Sequence, residues 1–584
     1  MRPFDNLYRT LEIEHRFVSL YQPIAMTPTK NAIVLILSIV LFCGCSKNSS
    51  EPEPPPPVIP PFSHVSLQIN NTAVSGTPVN INFTPAVKIS FTGRVDRATA
   101  QSAVSYKNNA GVNIGFALSY EQNDSSLIIS PSSTLESITK YTVAVSNALK
   151  AVSGRTITAG VSISFITRID SSRKFPALSD DELLTKVQQQ TFKYFWDFAH
   201  PTSGLARERS NGHNNLVTSG GSGFGIMAIV TGVERGFITR AEGLARMQKI
   251  VAFLKNTAQT FHGAFPHWLN GSTGNAIAFS ANDNGADLVE TSYLIQGLLT
   301  ARQYFADADG PETGLRNDIN TIWNRVEWNW FRKESNENVL YWHWSPDKAW
   351  QMNLPIKGWN ESLITYVLAA SSTSFAIPKV VYDNGWASNG GMKNGNTYYG
   401  LQLPLGPDLG GPLFLEHYSF LGIKPTNLVD AYADYALQTK NHTLINYNYC
   451  VANPKKFYGY SDSVWGLTAS DIENGYKASS PADDAGYIAP TAALSSFPYT
   501  PAESMKALKF FYYVLGDKIW KDYGFVDAFS LNSPWFANSF LAIDQGPIII
   551  MIENYRSGLL WDLFTSCPEV KAGMTTLGFT APYL

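Results

Sequence analysis

Hydrophobic and polar positions change rhythm along the chain, and the change marks out its parts. From residue 62 to 168, short runs rich in Val, Ile, Thr and Ser alternate apolar with polar at period two. Turn signals such as Ser75-Gly76, Asn108-Asn109 and Ser153-Gly154 separate them. Several short strands of this kind predict a small all-β sandwich. From about 175 to 584 the spacing lengthens to three and four. Leu183, Leu184, Val187, Thr191, Tyr194, Phe195 and Phe198 share one helical face after Ser179-Asp180-Asp181-Glu182, whose Ser and Glu stand at capping-box spacing. The same grammar returns at Thr239–Glu242 before Leu244, Met247, Val251 and Leu254, and at Thr500–Glu503 before Leu508, Phe511, Tyr512 and Leu515. Further helices are expected near Asn284, Asn360, Thr426 and Ile543. Long Gly-, Asn- and Trp-rich loops join them, and no repeat of fixed period supports a solenoid. A closed helical barrel fits best, with loops long enough to build a site.

The N-terminal stretch follows neither rhythm. Asn31–Phe42 is a continuous apolar run behind Lys30, too short to span a bilayer and the right length for the core of a signal peptide. Gly44-Cys45 closes it and resembles the cleavage box of bacterial lipoproteins, which makes Cys45 the expected lipidated residue. The acidic Asp5, Glu12 and Glu14 suit no signal n-region, so translation is expected to start at Met26. Residues 1–45 are therefore read as a signal region. The Pro-rich segment 46–61 is read as a semi-rigid tether, and the whole as an exported lipoprotein of the periplasm or outer membrane of a Gram-negative bacterium.

Composition narrows the chemistry. Lys and Arg total 44 against 47 Asp and Glu, a net charge of -3, so no global field attracts nucleic acid. Charged residues make up 16% and aromatics 13%, the reverse of a disordered chain. The four cysteines, Cys43, Cys45, Cys450 and Cys567, form neither a disulfide framework nor a zinc site. All 14 tryptophans fall between Trp196 and Trp561, and Trp323, Trp328, Trp330, Trp342, Trp344 and Trp350 crowd together. Flat apolar faces with a hydrogen-bonding edge suit sugars, so the cluster points to a sugar-binding cleft.

Three sets of acids stand out within the helical part. Asp283, Asp287 and Glu290 are spaced by four and three, which on a helix stacks three like charges with no base among them. Glu361 follows Trp359-Asn360 at a loop-to-helix junction, where an aromatic neighbour can raise its pKa as a general acid requires. Asp544 stands alone before Gly546-Pro547, a pair expected to turn the chain ahead of a new helix. Glu553 and Arg556 are expected to form a structural ion pair. Signatures of serine hydrolases, zincins and phosphate-binding loops are missing from the sequence. Ser219-Gly220-Gly221-Ser222-Gly223 lacks the lysine of a phosphate loop, and Asp307–Gly310 lacks the later ligands of a calcium loop. No metal or cofactor is expected.

The ordered blocks FKYFWDFAHPTSGLARERS, NDNGADLVETSYLIQGLL, KGWNESLITYVLAASS, GPLFLEHYSFLGIKP, VWGLTASDIENGY and LAIDQGPIIIMIENYRSGLLW resemble the glycoamylase-like domain of glycoside hydrolase family 144, the bacterial β-1,2-glucanases. Residues 62–168 are similar to bacterial Ig-like modules. The first resemblance implies an all-α (α/α)6 toroid that hydrolyses β-1,2-glucan with inversion, giving sophorose and short oligosaccharides. Internal cutting is the expected mode and exo release of sophorose the alternative. It makes Glu361 the general acid and Asp544 the general base. Asp283, Asp287 and Glu290 would line sugar subsites or support that pair, and Arg207, Arg209, Trp359, His417 and Tyr418 are candidate sugar contacts. The expected partners are β-1,2-glucan and its oligosaccharides, with a membrane touched through the lipid anchor alone, no nucleic acid and a monomeric chain. A non-catalytic glycan-binding lipoprotein is the rival reading from another class.

Overall fold

A computed structural model describes residues 61–584. The expected signal region, Cys45 and the Pro-rich tether up to residue 60 lie outside the described residues. What is described separates into two compact units that meet in sequence between Arg168 and Ile169.

The first unit is built from eight strands: β1 (His64–Ile69), β2 (Thr72–Ala73), β3 (Val87–Phe91), β4 (Val104–Asn108), β5 (Phe116–Glu121), β6 (Ser126–Pro131), β7 (Lys140–Val145) and β8 (Val161–Ile166). They form two antiparallel sheets, of order β2-β1-β3-β6-β5 and β4-β7-β8. Alternation explains the packing. Val87, Ile89 and Phe91 of β3 are buried while Lys88 and Ser90 between them are not, and they meet Leu127 and Ile129 in a core shared with Tyr106, Tyr141, Val143 and Phe165 of the other sheet.

In the second unit, two kinds of helix alternate. Helices at 180–196, 240–256, 310–324 and 501–513 bury one face and expose the other. Segments 219–234, 288–304, 363–371, 413–421, 490–494 and 542–556 are buried almost all round. A helix apolar on every side belongs inside a larger core, so the second set forms an inner ring and the first an outer layer. Glycines allow the ring to close. A Cβ on Gly223 would stand 2.1 Å from the Tyr293 carbonyl oxygen, and one on Gly297 would stand 2.2 Å from the Gly223 carbonyl oxygen. The Ser219–Gly223 run is thus the start of an inner helix packed backbone to backbone on its neighbour.

The capping boxes expected at Ser179/Glu182 and Thr239/Glu242 are both formed. Pro547 does not turn the chain. It sits inside the helix Ala542–Arg556, and Gly546 serves close approach instead, since a Cβ there would meet the Phe224 Cβ at 2.4 Å. Glu553 and Arg556 do not pair with each other. Glu553 holds Arg235 at 2.6 Å and Arg556 holds Asp181 at 2.6 Å, so both tie neighbouring helices together. Asp309 caps the helix Gly310–Asn324 through the Glu312 amide. No helix of the described residues is long and apolar enough to cross a membrane.

Candidate active site

The N-terminal ends of the inner segments meet at one end of the ring. Gly220 donates its N–H to Glu290 Oε2 at 2.7 Å, and Tyr293 donates its hydroxyl to the Glu361 carbonyl at 3.4 Å. Ser419 donates its hydroxyl to the same carbonyl, and Thr491 donates to the Asp544 carbonyl at 2.8 Å. Those contacts link four of the inner segments in a row and the other two to each other. Helix starts carry positive partial charge, so an anionic set can collect there.

Glu361 lies just before the helix Leu363–Ser371, with its Oε2 buried and unbonded. Burial pushes its carboxyl up to about 7. A bond to its own backbone opposes the shift, and the charges of Asp287 and Glu290 add to it. Asp544 is 2% exposed in the first turn of its helix, also with one oxygen unbonded. Burial raises its carboxyl well above the ordinary range, and the neighbouring Asp527 raises it further. Tyr418 lies near both acids. Its hydroxyl, pushed up by burial, lies in the field of both Asp544 and Glu361, and its ring packs on Phe224 and Tyr293.

The trio Asp283, Asp287 and Glu290 is not a helical stripe. Asp283 sits in a turn closed on Ser280, Asp287 is the N-cap of Leu288–Tyr304 with its carboxylate on the Val289 and Glu290 amides, and Glu290 alone is in the helix. Nor does the trio stand without bases. His343 Nε2 lies 3.0 Å from Asp283 and 3.3 Å from Asp287, and His267 Nδ1 lies 3.1 Å from Asp287. Burial works against charge on both rings. At His267 the field of Glu290 and the bond to Asp287 win, and its pKa rises to about 9; at His343 the field of Asp283 and bonds to Asp283 and Asp287 win, and its pKa rises to about 10. Burial likewise opposes ionisation of Asp287, yet its bonds to the two histidines hold it well below the usual range. Donor atoms of His267, Asp283 and Asp287 lie within 4.8 Å of one another, close enough to grip a cation, and the raised pKa values of His267 and His343 favour protons in that space instead.

Of the other candidates, Arg209 and Tyr418 reach the acids. Arg209 Nη2 binds Asp471 at 2.9 Å and its Nε lies 3.2 Å from Glu208; Asp471 in turn accepts from Ser539 Oγ at 2.5 Å. Arg207 turns elsewhere, stacking on Phe198 at 4.6 Å and donating to the Asn214 carbonyl at 3.0 Å. Trp359 is core instead of a sugar platform, fully buried against Trp386 and Tyr435. His417 is likewise packing: it bonds Ser496 Oγ at 3.1 Å, stacks on Tyr499, and burial drives its pKa down to about 3, leaving a neutral ring. Within the tryptophan cluster, Trp323 and Trp328 are buried, and Trp330 stacks between His262 and Trp350. Half-exposed rings at the acids are Trp268 and Phe279, with Phe279 stacked 4.1 Å from His267, and Trp342 beside His343. Sequence reasoning missed His267, His343, Asp471 and Asp527. The signal available for the first two was their setting, Pro266-His267-Trp268 and Trp342-His343-Trp344, each histidine joined to tryptophan in a loop.

The sequence model of the Glycoamylase family matches residues 353–568, and that of the Bacterial Ig-like domain matches 64–167. The crystal structure of an endo-beta-1,2-glucanase from Chitinophaga pinensis in complex with sophorotriose and glucose is 52% identical, covers 70% of this chain and 100% of its own, and superposes with a TM-score of 0.68. The chain belongs to this glycoamylase-like family. A beta-1,2-glucanase structure from Parabacteroides distasonis is 38% identical over 88% of this chain and 73% of its own, with a TM-score of 0.67. A curated relative from Parabacteroides distasonis, an exo beta-1,2-glucooligosaccharide sophorohydrolase (non-reducing end), is 47% identical over 424 residues, 69% of this chain. The chain spans 58% of the length of that relative. In fold, the family expectation holds: a helical domain like those of the glycoamylase structures follows a small antiparallel β module.

Proposed function

We propose that this chain hydrolyses β-1,2-linked glucan with inversion, with Glu361 as general acid and Asp544 as general base. The observation that carries the reading is the pair itself: two carboxyls from separate inner segments, both pushed upward, with the Tyr418 hydroxyl in the field of each at one end of the helical ring. An acid with a pKa near 7 keeps its proton at neutral pH and still gives it up to a leaving sugar oxygen. The charged Asp283–His343–Asp287–His267 network and the rings of Trp268, Phe279 and Trp342 then offer hydrogen bonds and apolar faces to pyranose units.

Internal cutting is the favoured mode. The endo-acting relative is 52% identical and is matched over its whole chain. Incubation with linear β-1,2-glucan is expected to release sophorose and short oligomers of mixed length early in the reaction. Glu361→Gln is expected to lower kcat by about 10²- to 10⁴-fold. Wild-type protein inert toward β-1,2-glucan overturns the proposal, and sophorose as the sole early product replaces endo by exo action. Cys45 is proposed as a lipid anchor that holds the enzyme at the periplasmic or outer-membrane face, with the Ig-like module as spacer.

A further inference from the structure

We propose that Asp527 is the proton-sharing partner of Asp544, so that the base of the reaction is a carboxyl pair carrying one proton and one negative charge. The inference rests on the hydrolytic reading and deepens it. Asp527 and Asp544 are buried neighbours, and each carboxyl acts on the other. Each has one buried oxygen, Asp527 Oδ1 and Asp544 Oδ2, to which no N–H or O–H donates. The other oxygen of Asp527 is taken by the Asp471 amide at 2.6 Å, which leaves Oδ1 as the one without a donor. Two carboxylates cannot both ionise at this range without a cation between them, and Arg209 is already committed to Asp471 and Glu208. A single proton held between the two satisfies both orphaned oxygens.

Every charged or titratable group facing the pair agrees with this. Asp471 raises both carboxyls and Arg209 lowers them; Glu208 lies behind Arg209. The phenols of Tyr194, Tyr418 and Tyr476 lie in the pair's field and are held neutral by burial. Burial, then Asp471, pushes Asp527 up to about 7, so near neutral pH the pair passes from two protons to one. The single-proton form is the working base. Water loses a proton to the pair as its oxygen bonds the anomeric carbon, the glycosidic C–O bond breaks, and Glu361 gives its proton to the leaving oxygen. The pair ends neutral and Glu361 ends ionised, and exchange with solvent restores both.

Asp527 is then a positioning residue acting through Asp544, and two readouts test it. On β-1,2-glucan, Asp544→Asn is expected to lose turnover at every pH. Asp527→Asn is expected to keep part of it, with the acidic limb of kcat/KM moved up by about half a pH unit or more, because an amide donor stabilises the Asp544 carboxylate less than a carboxylic acid does. Independently of activity, infrared difference spectra at pH 9 in a Glu361→Gln background are expected to show a protonated-carboxyl band that disappears in both the Asp527→Asn and Asp544→Asn proteins. A limb that stays in place while activity falls by one factor at all pH values, or a band that survives Asp527→Asn in folded protein, overturns proton sharing. An inert wild type with the band present overturns the hydrolytic reading alone.

Discussion

Replacing His343 by Gln tests whether the acid network is held by a buried imidazolium. The substitution keeps a hydrogen-bonding side chain but removes the charge facing Asp283 at 3.0 Å and Asp287 at 3.3 Å. The pKa of the His343 ring rises to about 10 in the folded chain against an ordinary value of 6.5. Because the folded value is the higher one, the stabilisation is complete below pH 6.5 and drains away as pH rises toward 10. At 1.36 kcal/mol per unit this is about 4 kcal/mol at pH 7 and about 2 kcal/mol at pH 8.5, in line with the ~3–5 kcal/mol for breaking a buried pair. The helical unit has roughly 400 residues, so its unfolding entropy converts each kcal/mol into about 1 °C. The expected deficit of the variant is therefore about 4 °C at pH 7, shrinking to about 2 °C at pH 8.5. All 14 tryptophans lie in the helical unit, so their fluorescence during a melt reports that unit without interference from the Ig-like module. Melts of both proteins at matched pH from 6.5 to 9 give the comparison. A gap that stays constant or widens with pH refutes a charged His343.

Gly223→Val is expected to abolish soluble expression, since its Cβ alone would stand 2.1 Å from the Tyr293 carbonyl oxygen in a ring with no room to separate; recovery of folded protein is the measurement. Glu553→Gln removes the charge partner of Arg235 at a fully buried carboxylate and is expected to cost about 3–5 kcal/mol in a denaturant titration, with kcat per folded molecule unchanged. A protein starting at Ile169 is expected to hydrolyse soluble glucan at nearly the full-length rate, and a large loss of turnover would give the Ig-like module a part in binding substrate.

How much of this was legible in the sequence depended on distance along the chain. Local signals were read correctly where the physics was local: the two capping boxes lie within four residues, and Glu361 announces itself by a polar turn before an apolar helix. The Asp283–Glu290 stripe misled for a reason more than fifty residues away. Ala286-Asp287 pairs as an extended ladder with His343-Trp344, and a Cβ at Gly285 would meet the Trp344 carbonyl oxygen at 2.3 Å, so the backbone stays extended until Asp287 caps the helix. The same pairing delivers His343 to the acids, which is why the counter-charges escaped a reading that looked for bases nearby. Tryptophans such as Trp359 and Trp328 carry no mark that separates a platform from a core ring, because both uses need the same flat apolar surface.

The division of labour among the acids was illegible for a deeper reason. Asp287, Glu290, Glu361 and Asp544 all sit at starts of inner helices, where the macrodipole favours the ionised form by ~0.3–1 kcal/mol, or about 2 kcal/mol at most. Acting alone, that field would lower every one of them. Yet the pKa of Glu361 rises from 4.5 to about 7, a displacement of about 3 kcal/mol against the dipole, because burial removes water that no donor replaces at its Oε2. Asp287 goes the other way although it is fully buried, since two histidines and two helix amides take the place of that water. Position on the fold therefore selects where acids gather, and the count of donors reaching each carboxyl selects which one keeps a proton to give.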